Sequence, residues 1–252
     1  MNADVFISEP VSLVLRLYDG LIDERAWTRT ACEQVEQLAD RLLDGHRAKL
    51  PGAVVELHNW HPNAGRRSTQ ELLDLSLSRS DVLETVARAH GFASWREAEF
   101  GGRTRGDPVF ERAIEDLLVG DIPALTAALD RAPDLVVRRS HYGHRAMLLH
   151  YLAANGVETY RQRVPLNASS IAAILVQRGA DVLATASMYG KNQSVRGLLL
   201  SSGHPRTAGV TDDVLAVIDG AATKEEPNKP LQPTRAAEPN NRREPSRRGP
   251  RG

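Results

Sequence analysis

Two strings of residues decide the fold: LLHYLAANG at positions 148–156 and IAAILVQRGADV at positions 171–182. Both are rich in leucine and alanine at helical spacing, and each reaches a glycine where its helix should end. Gly156 and Gly179 are of the residue type that a left-handed helix end favours. Helices this short cannot bury an apolar stripe alone, so the pattern predicts helix pairs that stack on their neighbours.

The same pattern recurs on both sides of these strings. Endings comparable to residues 178–182 occur at residues 131–135 and 219–222. Asp107 followed by Pro108 is a favourable start for the first helix of the series. Three glycines are predicted to close the first helix of a pair, namely Gly120, Gly156 and Gly203. The chain is therefore predicted to hold about three helix pairs between residues 107 and 223.

The two strings resemble the ankyrin repeat, whose first helix carries the pattern P-L-H-x-A-A-x-x-G and whose second helix ends in G-A-D-V. The resemblance covers about residues 107–223. It implies an all-α stack that binds another protein, with no catalysis, cofactor or small-molecule substrate. It also implies that His150 forms hydrogen bonds with neighbouring backbone. The second glycine interval is 47 residues (203 − 156), against a usual repeat of about 33, which indicates a loop inserted at residues 157–170.

In a stack of this kind, the tips between helix pairs select the partner. Each of two tips carries an aromatic residue followed by glycine, at residues 141–144 and 188–190. Because tyrosine and arginine often dominate binding energies, alanine at both tyrosines is expected to abolish partner capture and leave helicity unchanged. The predicted partner-binding residues are His141, Tyr142, His144, Arg145, Met188, Tyr189 and Lys191.

Residues 1–100 are predicted to be a helical capping region. Residues 31–43 carry one apolar stripe, Ser68 with Glu71 forms a capping box, and Asp81 is expected to cap the next helix. Residues 50–66 are interpreted as a loop.

The string ARAHGFASW, from Ala87 to Trp95, is similar to the A-x-x-x-G-F-x-S-W element that often precedes repeats in bacterial ankyrin-repeat proteins. Gly91 is expected to end a helix so that Phe92 and Trp95 dock back onto it. We expect these residues to belong to a helical cap that shields the first repeat.

Composition excludes several classes of protein. Lys plus Arg and Asp plus Glu both number 32, so no global field draws the chain to nucleic acid or anionic lipid. Cys32 is the one cysteine, which excludes an internal disulfide framework. No stretch approaches the roughly 20 apolar residues of a membrane span, and the first residues lack the basic start of a secretory signal. We therefore expect a cytoplasmic protein.

The last segment, residues 224–252, is rich in proline and arginine. It holds 8 basic and 4 acidic residues and six of the fourteen prolines, a composition that predicts disorder. Its arginines leave open an alternative function as a nucleic-acid-associated factor, although no aromatic residues are interleaved for base stacking.

A second alternative is an enzyme or a metal-dependent activity in residues 1–100, built on His58 and His61. Their spacing, repeated at His141 and His144, occurs in some metal sites, but no further ligand with matching local spacing accompanies either pair. The favoured interpretation places the first pair in a solvated loop and the second at a hairpin tip. No phosphate-binding loop or hydrolase motif occurs, so no catalytic residue is predicted.

Overall fold

The computed structural model describes residues 4–225 of the 252-residue chain. These residues are mostly helical, with thirteen α-helices and two small two-stranded sheets. The expectation of an all-α fold is confirmed for the predominance of helix, and the two small sheets depart from it. Within the described range, no helix combines the length and apolar character needed to cross a bilayer. The tail predicted to be disordered lies outside this range, except that Lys224 and Glu225 belong to the last helix.

The N-terminal part holds six helices. They are α1 (Glu9–Leu17), α2 (Ala31–Arg47), α3 (Pro51–Trp60), α4 (Thr69–Leu73), α5 (Arg79–Ala89) and α6 (Trp95–Gly101). Helix α2 packs against α3, α5 and α6, and α1 packs against α3. Apolar residues of α1, α2, α3, α5 and α6 form one cluster, which also takes in Tyr142 and Tyr160 from later in the chain. Leu72 of α4 packs in a small separate cluster with Leu57 and Ala64.

Capping residues and a proline in the sequence determine where several of these helices begin. The Ser68–Glu71 capping box is confirmed at α4. At α5 the cap is Ser78, which accepts a hydrogen bond from the Asp81 amide, so the prediction that Asp81 is the cap is wrong. The predicted loop at residues 50–66 is also wrong in its first part, because α3 begins there on a proline that fits the first turn of a helix.

Seven helices follow. They are α7 (Pro108–Leu118), α8 (Ile122–Arg131), α9 (Leu148–Tyr151), α10 (Ala168–Gln177), α11 (Val195–Ser201), α12 (Gly203–Thr207) and α13 (Thr211–Glu225). Helix α7 contacts α8 and α9, α9 contacts α10 and α11, and α13 contacts both α10 and α11. An ion pair of 2.6 Å between Arg178 and Asp130 links the ends of α10 and α8. One apolar cluster runs through all these contacts, from Phe110 to Ile218.

The glycines that end these helices are only partly as predicted. Gly120 and Gly179 have φ angles of 73° and 91°, so they occupy the left-handed region at the ends of α7 and α10. Gly156 also has a φ of 73°, but it lies five residues beyond Tyr151, where α9 ends, so the prediction that it closes this helix is wrong. Gly203 instead begins α12. Residues 219–222 lie inside α13 rather than at a helix end, because the helix continues to Glu225.

Two short sheets complete the described structure. Strand β1 (Val5–Phe6) pairs antiparallel with β2 (Val164–Pro165), which joins the start of the chain to the insertion at residues 157–170. Strands β3 (Thr185–Met188) and β4 (Lys191–Ser194) form a hairpin between α10 and α11. Its two turn residues, Tyr189 and Gly190, both have positive φ, as a tight two-residue hairpin turn requires.

Candidate functional site

The first predicted tip is a tight loop between α8 and α9. Ser140 donates its backbone N–H to the Ala146 carbonyl over 2.8 Å, which closes the loop. Within it, Arg145 is exposed and has a φ of 54°. The other side chains of the loop point inward, so this tip offers little surface to a partner.

The N-terminal helices cover this tip. Gly143 and His144 lie directly against Gly91, where even an added Cβ atom would come within 2.2 Å of the His144 nitrogen. Tyr142 is 4% exposed and packs with the N-terminal cluster. His141, Tyr142 and His144 are therefore covered by the chain itself and are not exposed at a tip, as the sequence had led us to expect.

The second tip is the β3–β4 hairpin, and it lies beside the first. Ser187 donates its backbone N–H to the His144 carbonyl over 2.8 Å. Arg139 donates through Nη1 to the carbonyls of both Arg145 and Thr185, at 2.9 and 2.8 Å. These three bonds fix the two tips side by side.

The hairpin residues divide between core and solvent. Met188 is buried against Gly156, because side chains along β3 alternate between the two faces of the strand. Met188 is therefore part of the core and is not exposed at the tip, contrary to expectation. Tyr189 and Lys191 are exposed, as expected. Together with Arg145 they are the three predicted residues that remain available on the surface.

A groove of about 580 Å³ separates the hairpin from the N-terminal helices. We call it the hairpin groove. At its edge the two sides meet, because the ring of Tyr189 stacks on that of Trp60, with ring centroids 5.8 Å apart and planes within 6°. The indole N–H of Trp60 donates a 3.0 Å hydrogen bond to Thr159 Oγ1, which fixes the orientation of the ring. Tyr189 donates its hydroxyl to Asn155 over 2.6 Å. The residues that line the groove include Trp60, His61, Arg88, Phe92, Glu97 and Tyr189.

Behind the tips lies a buried ionic cluster centred on Arg161, which is 3% exposed. Its guanidinium donates to Glu111 and, over 3.1 Å, to Glu158. It also lies 5.9 and 5.8 Å from the ring centroids of Tyr151 and Tyr160, within the range of a cation–π contact. The insertion at residues 157–170 therefore does not lie on the surface as a whole. Its charged residues Glu158 and Arg161 are buried between the helix pairs and the N-terminal helices.

Two histidines complete this ionic cluster. His144 Nε2 lies 3.5 Å from Glu158, and His141 Nδ1 lies 3.4 Å from Glu111. Burial alone raises the pKa of the Glu158 carboxyl, but the charge of Arg161 and the nearby His144 outweigh it and leave the pKa well below its usual range. The pKa of Glu111 is lowered in the same way by Arg161 and His141. These carboxylates are therefore held ionised inside the protein.

Sequence reasoning missed this cluster because it placed His141 and His144 at a solvated tip. The available signal was the spacing of Glu158 and Arg161, three residues apart in the insertion, which suits an ion pair on one helical turn. The expected contact of His150 is confirmed, since its Nδ1 accepts a 3.3 Å hydrogen bond from the Met147 amide.

Three other buried groups make stability depend on pH. Burial lowers the pKa of His90 and of His150 to about 4 and raises the pKa of Glu56 to about 7. Unfolded histidine binds a proton near pH 6.5, so acidification from pH 6.5 toward 4 favours the unfolded chain. Unfolded glutamate releases its proton near pH 4.5, so Glu56 acts in the opposite sense and destabilises the fold as pH rises from 4.5 to 7.

We expect the two histidines to outweigh Glu56, so the free energy of unfolding falls by about 2 kcal/mol between pH 7 and pH 4.5, at about 1.4 kcal/mol per pKa unit. Urea denaturation at both pH values measures this. Glu56→Gln, which removes the opposing contribution, is expected to make the fall steeper. A protein that is more stable at pH 4.5 than at pH 7 would contradict the assignment.

The two histidines behind the metal alternative lie in different environments. His58 is exposed, whereas His61 is buried and accepts a 3.2 Å hydrogen bond from the Asn63 amide. Among residues 4–225, no three His, Cys, Asp or Glu side chains converge as metal ligands. Burial and then the neighbouring Glu36 raise the pKa of the Cys32 thiol, which disfavours the reactive thiolate. Comparisons of the chain with protein-family models, with curated proteins and with solved structures returned no match.

Proposed function

We propose that the chain is a protein-binding module, in which ankyrin-like helix pairs carry the two tips and the N-terminal helices cap them. Three observations support the ankyrin-like part. Helices α7, α9 and α11 follow one another by contact, a second helix packs on each of them, and the loops that precede α9 and α11 are joined by hydrogen bonds. In such a stack neighbouring repeats contact only one another, which leaves the tips free to carry binding residues.

The observation that carries the binding proposal is Tyr189. It is 55% exposed although it is a large aromatic residue, and its φ of 54° is unfavourable for any residue except glycine and, to a lesser degree, asparagine and aspartate. A turn residue of this conformation costs about 1 kcal/mol or more relative to glycine. Backbone strain of this kind concentrates at functional sites. Tyr189 also stands at the edge of the hairpin groove, where an aromatic anchor suits a partner.

The proposed partner surface is therefore the hairpin groove with the exposed residues around it. Lys191, two residues after Tyr189, and Arg145 at the neighbouring tip are exposed positive charges, and Tyr189 forms an aromatic pair with Trp60. Tyrosine, tryptophan and arginine are the residues most often found at energetic hot spots of interfaces. This surface replaces the broader one expected from the sequence, which included the buried tip residues.

The double variant Tyr189→Ala with Lys191→Ala tests the proposal. Affinity capture from the native host identifies the partner, and calorimetry with the purified partner then gives the Kd. We expect the double variant to raise the Kd about 30-fold, because loss of a hot spot costs about 2 kcal/mol.

Leu200→Ala is the matched control, since Leu200 is an exposed apolar residue on α11 that does not line the groove. We expect it to change the Kd less than twofold. Equal losses in both variants, or an unchanged Kd in the double variant, would place the interface elsewhere. Circular dichroism should be the same for all three proteins, because every substituted side chain is exposed.

A further inference from the structure

A buried carboxyl group lies close to the hairpin groove without lining it. Glu56 is on α3, one helical turn before Trp60, and it is 2% exposed. Its Oε2 accepts a 3.3 Å hydrogen bond from the hydroxyl of Tyr18, and its Oε1 forms none with any residue of the described range. A buried oxygen without a donor is tolerated in a neutral carboxyl group, whereas in a carboxylate it is costly.

Thr159 connects this carboxyl group to the groove. It belongs to the turn Thr159–Arg161 of the insertion, and its Oγ1 accepts the indole N–H of Trp60 over 3.0 Å. The same hydroxyl lies near enough to Glu56 to lower the pKa of that carboxyl by hydrogen bonding. Thr159 is 3% exposed, so it is shielded from solvent. Because a hydroxyl accepts one hydrogen bond while it donates another, a change at Glu56 is transmitted through Thr159 to Trp60.

The charge of Glu56 changes near neutral pH. Burial raises its pKa to about 7, since it outweighs the opposing hydrogen bonds from Thr159 and Tyr18. Among residues 4–225, no charged side chain of the helices packed on α3, namely α1, α2, α4 and α5, contributes to this pKa. Tyr18 stays neutral, because burial raises the pKa of its hydroxyl well above the usual range. Within this set of groups, Glu56 is therefore the one that gains or loses a charge around pH 7.

We propose that Glu56 is a positioning residue of the hairpin groove, which acts on Trp60 through Thr159. When the carboxyl is ionised, it draws the Thr159 hydroxyl into a hydrogen bond, and the polarised Thr159 oxygen accepts a stronger bond from the Trp60 indole N–H. When the carboxyl is protonated, it no longer needs this donor, and the ring of Trp60 is fixed less firmly. Because that ring stacks on Tyr189, the aromatic pair at the edge of the groove responds to pH.

The consequence for binding rests on the proposed function. A ring that is already fixed loses less conformational freedom when a partner binds, so the affinity for the partner is higher when Glu56 is ionised. We expect a Kd about fivefold lower at pH 8 than at pH 6, as the strengthening of one buried hydrogen bond predicts. The coupling of Glu56 to Trp60 is measured without any partner, so the two ideas are tested separately.

The test follows the indole N–H signal of Trp60 by NMR in the full-length chain from pH 6 to pH 8, with Trp60→Phe to identify the signal. We expect the signal to move downfield as the pH rises, with a midpoint near pH 7, because a stronger hydrogen bond deshields the proton. Glu56→Gln keeps the size of the side chain and cannot ionise, so the pH step should be absent from it.

The matched control is His58→Gln. It removes an exposed titratable ring of the same helix, two residues from Trp60, and we expect it to leave the pH step unchanged. His61, the residue after Trp60, titrates below this midpoint, because burial lowers the pKa of its ring.

A second pair of variants tests the connection at Thr159 and stays decisive if Glu56→Gln does not fold. Thr159→Val keeps the shape of the side chain and loses the hydroxyl. We expect it to move the Trp60 signal upfield and to abolish the pH step. Thr159→Ser keeps the hydroxyl and should retain the step.

The outcomes separate the coupling from its effect on binding. A Trp60 signal without a step near pH 7, or a step that persists in Glu56→Gln or in Thr159→Val, overturns the coupling. If the step behaves as expected but the partner Kd is the same at pH 6 and pH 8, the coupling stands and its effect on binding is overturned. If the Tyr189 variant places the interface elsewhere while the step is present, the proposed function fails and the coupling stands.

Discussion

Replacing Arg161 by alanine is expected to lower the free energy of unfolding by about 3–5 kcal/mol, the largest effect that any single charged residue of the described range should show. The substitution leaves the carboxylates of Glu111 and Glu158 buried without their cation. It also removes the guanidinium that lies over the rings of Tyr151 and Tyr160. Urea denaturation followed by circular dichroism measures the change.

Arg112→Ala is the matched control for this prediction. Arg112 also joins two carboxylates, those of Glu24 and Asp116, each over 2.9 Å, but its side chain is 56% exposed. Exposed ion pairs contribute about 0–1 kcal/mol, so we expect a loss below 1 kcal/mol. Arg161→Met, which keeps most of the stem and loses the charge, should be nearly as unstable as Arg161→Ala. Similar losses in the Arg112 and Arg161 variants would show that burial of the cluster has no energetic consequence.

Gly91→Ala is expected to be the most damaging substitution of a glycine by alanine. The φ of 79° disfavours alanine by about 1–2 kcal/mol, and the new Cβ would lie 2.2 Å from the backbone nitrogen of His144. Because that neighbour is backbone, the first tip must move away from the N-terminal helices, which adds about 1–3 kcal/mol for overpacking. We expect a total loss of about 2–5 kcal/mol in urea denaturation.

Gly179→Ala separates the two contributions. Gly179 has a φ of 91°, yet nothing lies within 4 Å of the position that its Cβ would take. This variant therefore carries the backbone cost alone, about 1–2 kcal/mol. If both variants lose the same free energy, the close approach of His144 to Gly91 contributes nothing, and the docking of the tip onto α5 is looser than described.

The parts of the fold that sequence reasoning reached are those that local chemistry decides. Asp107 caps α7 by accepting hydrogen bonds from the amides of Val109 and Phe110, and Gly179 ends α10 in a left-handed conformation. Both outcomes depend on residues within a few positions of each other. The apolar spacing of residues 31–43 likewise predicted α2, because a helix that packs on others needs an apolar face.

The candidate site was harder to predict, because its exposure depends on contacts between distant segments. From the sequence, Tyr142 is expected to be an exposed interface residue. In the fold it is buried, because Gly91, some fifty positions earlier, has no side chain and lets the N-terminal helices lie directly against the first tip. Trp60 and Tyr189 are far apart in sequence and meet only in the folded chain. Helical periodicity shows which face of a helix is apolar and does not show which segment covers a loop.

The pairing of β1 with β2 bears on the order in which the protein folds as the ribosome makes it. The pairing of Val5 with Pro165 cannot form until the ribosome has made 160 further residues. The N-terminal cluster is likewise complete only when Tyr142 and Tyr160 have been made. Until that stretch has emerged, the part of the N-terminal cluster that Tyr142 and Tyr160 cover stays exposed in the nascent chain. A transcript cut short before that point would yield a product that chaperones and proteases recognise readily.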